Sequence, residues 1–263
     1  MKKVLTVFMA IALTTGVFAA GKKEAAGSAL ERIQKAGVIK IGIEGTYPPY
    51  TYHDERNDLV GYDVEIAREI AAKLGVVPSF VESAWDSLIA GVDAGRWDVV
   101  INQVGINPDR QAKYDFSTPY TYTRGALIVR NDSTVASFAD LNGKKSAQTV
   151  TSNWAQLAQS FGAEIVGTVS GFNESVDLVV NGRADATIND DVTFYDYKKA
   201  HPESPTKVVA FADTITTDGV LLPKNEPALL AAINQALAQL HDAGRLREIS
   251  QKYFGQDISI PPK

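Results

Sequence analysis

The residues best suited to chemistry lie close together in residues 101–120, INQVGINPDRQAKYDFSTPY. Within this segment, Arg110 stands in an Asn-Pro-Asp-Arg sequence that favours a turn, shortly after the apolar run 98–101. A guanidinium is a planar fork of donors that matches the two oxygens of a carboxylate. Gly105 has no side chain, so a small molecule can approach its backbone N–H closely. The segment therefore predicts one half of a binding site for a free amino acid.

The elements that must position these residues are short apolar runs alternating with helical patterns, as in α/β proteins. The same order, strand-helix-strand-helix-strand, occurs twice. The first unit predicts strands at 38–43, 77–81 and 98–101, and helices at 61–74 and 85–95. The second predicts strands near residue 147, at 164–166 and at 186–188, and helices at 153–161 and 173–180. In open α/β sheets ligands bind beyond the carboxyl ends of the strands, so two facing units predict a cleft between them.

The N-terminus has the pattern of a secretory signal peptide: Met-Lys-Lys, the apolar run 4–13, and small residues ending at Ala20. The apolar run is about half of the ~20 residues that span a bilayer, and an uncleaved anchor is the alternative. We expect residues 1–19 to be removed and residues 20–28 to form a flexible polar tail. The chain has no cysteine, so export brings neither disulfides nor a lipid attachment point, and we expect a periplasmic protein.

The composition is that of a globular protein, with 263 residues, 45% hydrophobic and 22% charged, enough for one large or two modest domains. The net charge is −5, and it becomes about −7 once the two lysines of the leader are removed. This sign argues against nucleic acid and anionic membranes as partners. The three histidines lack zinc spacing, and neither a P-loop nor a Gly-x-Ser-x-Gly elbow occurs. We therefore expect no metal and no cofactor.

Several short motifs follow one another in a specific order: GYDVEI at 61–66, WDSLI at 85–89, GRWD at 95–98, DR at 109–110, YDFSTPY at 114–120, LNGK at 141–144 and GRADA at 182–186. Each is weak alone, but together they make residues 30–254 resemble the bacterial extracellular solute-binding proteins, family 3, which are polar amino acid receptors of ABC importers. The resemblance implies an α/β periplasmic-binding-protein fold of type II, with two lobes joined by two crossing hinge strands. Lobe 1 would comprise residues 29–124 plus 217–263, and lobe 2 residues 125–216. It also implies a monomer without enzymatic activity that captures an amino acid by hinge closure and presents it to an ABC permease.

The resemblance implies a carboxylate site built from both lobes. Arg110 would pair with the ligand carboxylate, and the Gly105 N–H would assist it. From lobe 2, Ser152 and Asn153 would add a hydroxyl and a backbone N–H at the start of a helix, where the first N–H groups lack internal partners. The alternative is that Ser152 or Asn153 only caps this helix, although the two roles are compatible.

For the ammonium group, the resemblance points to Asp190, with Asp191 as its solvated neighbour. Asp190 follows the predicted strand at 186–188. Glu44 comes just after the first strand, and two interpretations are open for it. It is either a second acceptor, for the ammonium or for a polar ligand side chain, or a solvated loop residue.

Three further positions would shape the wall of the site. Tyr47 and Trp85 match the two aromatic positions of the family, which pack an aliphatic ligand chain or face a cation. Trp85 also begins the apolar stripe 85–92, so a plain core role is its alternative. Gln103 departs from the small residue or serine that is commoner in the family. With its neighbours at 102–104 it resembles the cystine- and cysteine-binding subgroup, where a glutamine would hydrogen-bond the second polar end of a longer ligand.

Two other functions stay open from the sequence. Some relatives on this fold are dehydratases of cyclic acids, and Glu44 or Asp190 would then serve as the general acid or base. Turnover of prephenate-like substrates would distinguish such an enzyme from a receptor. The remaining alternative is a ligand-sensing module that acts on a membrane receptor through a partner protein.

Overall fold

The computed structural model describes residues 27–168 and 170–262. The predicted leader, residues 1–19, lies outside them, as does the predicted tail up to residue 26. Ser28, expected to belong to that flexible tail, is instead the N-cap of the first helix, α1 (Ala29–Ala36). Its Oγ accepts a hydrogen bond from the Glu31 N–H at 3.3 Å, and the Glu31 carboxylate accepts one from the Ser28 N–H at 3.1 Å. This reciprocal capping box starts the helix at that point.

Strands and helices alternate along the described residues. The strands are β1 (Val38–Ile43), β2 (Thr46–Tyr47), β3 (Thr51–His53), β4 (Leu59–Val60), β5 (Val77–Glu82), β6 (Val99–Val100), β7 (Tyr114–Phe116), β8 (Thr121–Arg130), β9 (Lys145–Gln148), β10 (Glu164–Gly167), β11 (Ala186–Asp190), β12 (Thr206–Asp218) and β13 (Leu221–Pro223). The helices after α1 are α2 (Tyr62–Leu74), α3 (Trp85–Asp93), α4 (Pro108–Lys113), α5 (Asn153–Ser160), α6 (Phe172–Val180), α7 (Asp191–Ala200), α8 (Pro227–Asp242) and α9 (Arg245–Phe254). None of these helices is both long enough and apolar enough to cross a membrane.

Two five-stranded sheets share one topology, with the strand orders β5-β1-β6-β13-β7 and β10-β9-β11-β8-β12. The strands of each predicted unit pair in parallel, and the fourth strand in each order is antiparallel to both its neighbours. The chain enters the second sheet along β8 and leaves it along β12, and these two strands pair with each other. The protein thus has two α/β lobes joined by two crossing strands, as predicted. We retain the residue limits of the lobes, given above, as a proposal.

The Asn-Pro-Asp-Arg segment forms the short helix α4, so the predicted turn at this position was wrong. The Asn107 Oδ1 accepts a hydrogen bond from the Arg110 N–H at 2.9 Å and caps the helix. Pro108 occupies the first helical position, where its missing N–H is not needed. The same residue types also favour turns, which is why the two outcomes were hard to separate. The helix holds the Arg110 backbone in a defined place.

The largest apolar core joins the first sheet to the C-terminal helices. Ile41 of β1, Ile66 of α2, Ile233 of α8 and Ile249 of α9 all lie in it with no exposed surface. Burial of each such side chain is worth roughly 1.5–3 kcal/mol. The C-terminal helices therefore pack on the first lobe and make a firm base for its half of the cleft.

Trp97 holds α3 against the first sheet and so positions Trp85, the first residue of that helix. Its indole N–H donates to the Leu88 carbonyl at 3.0 Å. A Cβ on Gly91 would lie 1.9 Å from the Trp97 ring, and one on Gly42 would lie 2.8 Å from it. Only glycine leaves room for the ring at these two positions. The close approach fixes α3, and with it the aromatic wall of the site.

Candidate functional site

One cleft between the lobes gathers most of the predicted site residues. Seven of the nine line it: Glu44, Tyr47, Trp85, Gln103, Ser152, Asn153 and Asp190. The remaining two adjoin it, since Arg110 lies over the Trp85 ring and Gly105 lies beside the Asn153 side chain. Residues that had not been predicted complete the lining: Gln148, Thr149, Trp154, Gly171, Phe172, Ser175, Asn189 and Asp218.

The Arg110 guanidinium is buried at the edge of this cleft and stacks on Trp85, with 5.4 Å between its Cζ and the ring centroid. Its Nη1 donates to the Gly105 carbonyl at 2.9 Å, and its Nη2 donates to the Thr151 carbonyl of the other lobe at 3.2 Å. No carboxylate of the described residues lies within 4.0 Å of it. Burial lowers the pKa of Arg110, and the negative charge of Asp218 opposes this effect. Carbonyl groups accept hydrogen bonds from the guanidinium but do not neutralise its charge. Binding of an anion beside this buried cation is therefore favourable.

Gly105 has a second role that the sequence did not reveal, because its carbonyl orients Arg110. The Gly105 N–H donates to none of the described residues, and its contact to a ligand carboxylate stays a prediction. A Cβ at this position would lie 3.3 Å from the Arg110 Nη1 and 3.5 Å from the Asn153 Cγ. Even a methyl group would therefore crowd the place where the two lobes meet.

Helix α5 of the second lobe begins at the same place. The Ser152 Oγ accepts a hydrogen bond from the Ala155 N–H at 3.0 Å, so Ser152 is the N-cap of α5. The capping alternative thus holds for Ser152, while its hydroxyl hydrogen remains able to donate to a ligand. Asn153 is the first helical residue and lines the cleft. The start of α5 therefore lies beside Gly105, whose carbonyl holds Arg110, and its use as an anion site stays a prediction.

Asp190 ends β11 on the floor of the cleft and is 3% exposed. One carboxylate oxygen accepts a hydrogen bond from the Thr123 hydroxyl at 2.5 Å, and the other accepts one from the Tyr47 hydroxyl at 3.2 Å. Burial raises the pKa of Asp190 to about 6, although these hydroxyl bonds lower it and Asp191 raises it. Its partners are all neutral, so an arriving ammonium group would be its first cation. Asp191 is half-buried and accepts a hydrogen bond from the Val192 N–H at 2.9 Å.

Glu44 is buried, so the alternative of a solvated loop residue was wrong. Its Oε2 accepts a hydrogen bond from the Asn102 Nδ2 at 2.7 Å, and its backbone N–H donates to the Asn102 Oδ1 at 2.8 Å. Burial raises the pKa of Glu44 to about 7, the Asn102 bond lowers it, and Asp86 raises it. Across the cleft it faces Gly171, at the start of α6, whose Cβ would lie 3.6 Å from the Glu44 Oε1. Glu44 thus lies in the cleft between the two lobes, and its role toward a ligand stays a prediction.

The two aromatic positions line the cleft as predicted, and each also has a structural role. The Tyr47 hydroxyl has one hydrogen, which it shares between the Asn189 Oδ1 of the other lobe at 2.6 Å and the Asp190 Oδ2 at 3.2 Å. Trp85 belongs to an apolar cluster with Leu88 and Val92, so its core alternative is confirmed, while its role as a wall for a ligand stays a prediction. The Trp85 indole N–H is buried without a partner among the described residues.

The Gln103 amide group was predicted to hydrogen-bond a ligand, but its N–H group is directed into the protein. Its Nε2 donates inward to the Asp63 Oδ1 at 2.6 Å and to the Thr121 Oγ1 at 3.3 Å, so the amide N–H group is not available to a ligand. Only its Oε1, which is buried without a partner, is left. Gln103 has a φ of 48°, in the region that non-glycine residues rarely adopt. It is therefore restricted to accepting a hydrogen bond from a ligand N–H or O–H.

Contacts across the cleft show that the two lobes are closed on each other. The Thr151 N–H and hydroxyl of the second lobe both donate to the Asp86 Oδ1 of the first, at 3.1 and 2.7 Å. The Arg110–Thr151 and Tyr47–Asn189 bonds described above join the same two surfaces. Single-sequence reasoning missed all of these, because no spacing marks a contact between distant segments. Within the described part of the chain, no group of three His, Cys, Asp or Glu residues is arranged to hold a metal ion.

Comparison with known proteins places this geometry in a family. The description that matches residues 39–256 is "Bacterial extracellular solute-binding proteins, family 3". A probable amino-acid ABC transporter-binding protein of Haemophilus influenzae is 41% identical over 98% of this chain and 100% of its own. The L-cystine-binding protein TcyA of Bacillus subtilis is 40% identical over 86% of this chain and 85% of its own.

A solved structure adds a conformational comparison. The L-cystine solute receptor of Neisseria gonorrhoeae, in its unliganded open conformation, shares 43% sequence identity. The match covers 89% of this chain and 100% of the receptor, with a TM-score of 0.60. A moderate score at high identity is expected when an open two-lobed protein is compared with one whose lobes touch. The fold is thus the two-lobed α/β fold of type II periplasmic binding proteins, and the chain belongs to the bacterial extracellular solute-binding proteins, family 3.

Proposed function

We propose that this protein is an exported receptor that captures a polar amino acid, with cystine favoured, and delivers it to an ABC permease. One observation carries the proposal: the closed cleft buries a cation and an anion that lack ionic partners. Arg110 at one edge has no carboxylate near it, and Asp190 on the floor has only hydroxyl partners. The carboxylate and ammonium of one amino acid satisfy both groups at once.

Capture proceeds by docking and closure. The ligand first meets Arg110, the Gly105 N–H and the Trp85 wall on the first lobe. The second lobe then swings about β8 and β12 and adds Ser152, Asn153 and Asp190. Closure is favoured to the extent that the ligand binds the closed form better than the open one.

Cystine is favoured because two named relatives bind it and because the cleft holds polar groups in addition to Arg110 and Asp190. A cystine molecule carries a second amino acid head at a distance from the first. Glu44 offers that head a carboxylate, and the Gln103 Oε1 offers it a further acceptor. Both groups accept hydrogen bonds, so they select a ligand whose far end is a donor.

We further propose that the protein performs no catalysis, is a periplasmic monomer and hands the ligand to a membrane permease. The relatives support this, because they are named as binding proteins of transporters rather than as enzymes. The interlobe contacts of Tyr47 and Thr151 support a closed state that presents both lobes to the permease.

A thermal-shift screen of the protein, stripped of ligand by unfolding and refolding, tests the proposal. A ligand that binds only the folded state raises the melting temperature as its concentration exceeds Kd. We expect cystine to give the largest shift among all amino acids. A shift with a different amino acid alone would support the receptor function but exclude cystine as the ligand. No shift with any amino acid would contradict the receptor itself.

A further inference from the structure

Asp218 is the cleft residue whose surroundings are least explained by the site described so far. It ends β12, one of the two crossing strands, and it lines the cleft while being 2% exposed. On one side it pairs in register with Thr121 of β8, and on the other it forms an isolated antiparallel bridge with Gly105. The carbonyl of Gly105 holds Arg110, so this bridge brings Asp218 next to the residue that orients the guanidinium.

The Asp218 carboxylate has no hydrogen-bond donor among the described residues, and its Oδ2 is fully enclosed. The neighbouring buried acids differ in this respect, since Asp63 accepts from Gln103, and Asp190 from Thr123 and Tyr47. An enclosed carboxylate without donors is strongly unfavourable. This is the state expected of a group whose partner is a ligand.

The one cation that acts on Asp218 does not reach it. Arg110 attracts Asp218, but the two form no ion pair within 4.0 Å, because the guanidinium is held by the Gly105 and Thr151 carbonyls. A buried positive group and a buried negative group thus lie near each other without touching. An amino acid placed between them would bring its carboxylate to one and its ammonium to the other.

We propose that Asp218 is a ligand-binding residue whose carboxylate accepts a hydrogen bond from the ammonium group of the bound amino acid, opposite Asp190. The inference rests on the proposed function and extends it to the crossing strand. It makes an ammonium group a strict requirement, because two carboxylates from different parts of the fold converge on that group. It also couples recognition to the hinge, since β12 carries the chain between the lobes.

The charges around Asp218 make ligand binding at this residue sensitive to pH. Burial raises the pKa of Asp218 well above its usual value, Asp190 and Asp63 raise it further, and Arg110 lowers it. The other titratable groups that face it are phenols: Tyr47, Tyr50, Tyr62 and Tyr120. The empty site therefore favours the protonated acid more than an exposed aspartate would. An arriving ammonium group favours the carboxylate, so any proton that Asp218 holds passes to solvent, while the ammonium keeps its three protons.

Titration calorimetry of the refolded protein with L-cystine tests this inference. Running it at pH 7 in phosphate and in Tris, whose ionisation enthalpies differ, counts the protons released. We expect the wild type to release protons on binding, in part from Glu44 and Asp190, and Asp218→Asn to release fewer. The same variant should bind cystine roughly 10–100-fold more weakly at pH 8, the effect of losing a hydrogen bond to a charged group. The difference should shrink toward pH 5, because only the wild type must expel a proton from Asp218.

Asp213→Asn is the matched control, since Asp213 is an exposed aspartate on the same strand. It should leave both Kd and the proton count unchanged. Equal affinity and equal proton release for Asp218→Asn and wild type would overturn the role of Asp218 while leaving the receptor intact. Wild-type binding of dithiodipropionate, which is cystine without its amino groups, as tightly as cystine would also overturn it, and this result does not depend on the folding of any variant. Failure of the wild type to bind any amino acid would instead remove the proposed function and this inference with it.

Discussion

Replacing Arg110 with alanine is expected to weaken cystine binding by roughly 2–5 kcal/mol, or about 30-fold to several thousand-fold in Kd. The change leaves the ligand carboxylate buried in the closed cleft without its cation. It also removes the stacking on Trp85 and the bond to the Thr151 carbonyl, both of which help to bring the lobes together. Arg110→Lys should recover part of the loss, because it restores the charge but not the planar fork. Calorimetric titration of each refolded variant measures the effect.

Arg68→Ala is the matched control for this experiment. Arg68 also stacks on an aromatic ring, with 5.7 Å between its Cζ and the Phe80 centroid, and also donates to a carbonyl, that of Leu59 at 3.0 Å. It lies exposed on α2 and does not line the cleft. We expect wild-type affinity for this variant. If Arg110→Ala bound cystine as tightly as Arg68→Ala, the carboxylate site would have to lie elsewhere.

Replacing Asp190 with asparagine should cost a similar amount, roughly 2–5 kcal/mol of cystine binding. The variant keeps the shape of the side chain and loses the charge that pairs with the ligand ammonium. The loss should be selective: dithiodipropionate, which is cystine without its amino groups, should bind as weakly to the variant as to the wild type. Competition against a fluorescent reporter at millimolar dithiodipropionate would measure the two effects side by side. An equal loss for both compounds would make Asp190 a structural residue only.

The pH dependence of binding provides a second readout for Asp190. In the empty site burial raises its pKa to about 6, and a bound ammonium stabilises the carboxylate and lowers that pKa. The contribution of Asp190 to affinity is therefore complete above pH 6 and declines as the pH falls through 6, by up to tenfold per pH unit. Asp190→Asn should lose this component. Asp191→Asn, next to it and half-buried, should keep both the affinity and the pH profile.

The elements that position the site were predictable because their signals are local. The strand β1 was predicted with both ends correct, since its apolar run begins directly after Gly37, which takes a left-handed conformation and ends α1. The two-lobe architecture followed from the repeated order of strands and helices. By contrast, the small sheet of β2, β3 and β4 has strands of only two or three residues, too short for a periodic pattern to appear.

The site itself was predictable only in part, and the reason is long-range pairing. Arg110 and Asp190 belong to motifs that can be read from neighbouring residues. Asp218 meets Gly105 only because β12 returns to the first lobe after the whole of the second has been formed. The only local sign of this role is that Asp218 and a glycine directly precede the apolar run 220–222. The inward direction of the Gln103 amide depends on its hydrogen bond to Asp63 of α2, which also lies far from it in the sequence.

The proposed function requires that the cleft binds both the carboxylate and the ammonium group of a free amino acid. Calorimetric titration of the refolded wild-type protein with cystine, cystamine and dithiodipropionate tests it most directly. Cystamine keeps the disulfide and the two ammonium groups but lacks carboxylates, and dithiodipropionate keeps the carboxylates but lacks ammonium groups. We predict that one cystine binds each protein with micromolar or tighter Kd, and that either analogue binds at least about 100-fold more weakly. Binding of either analogue as tightly as cystine, or no binding of cystine or any other amino acid, would contradict the account.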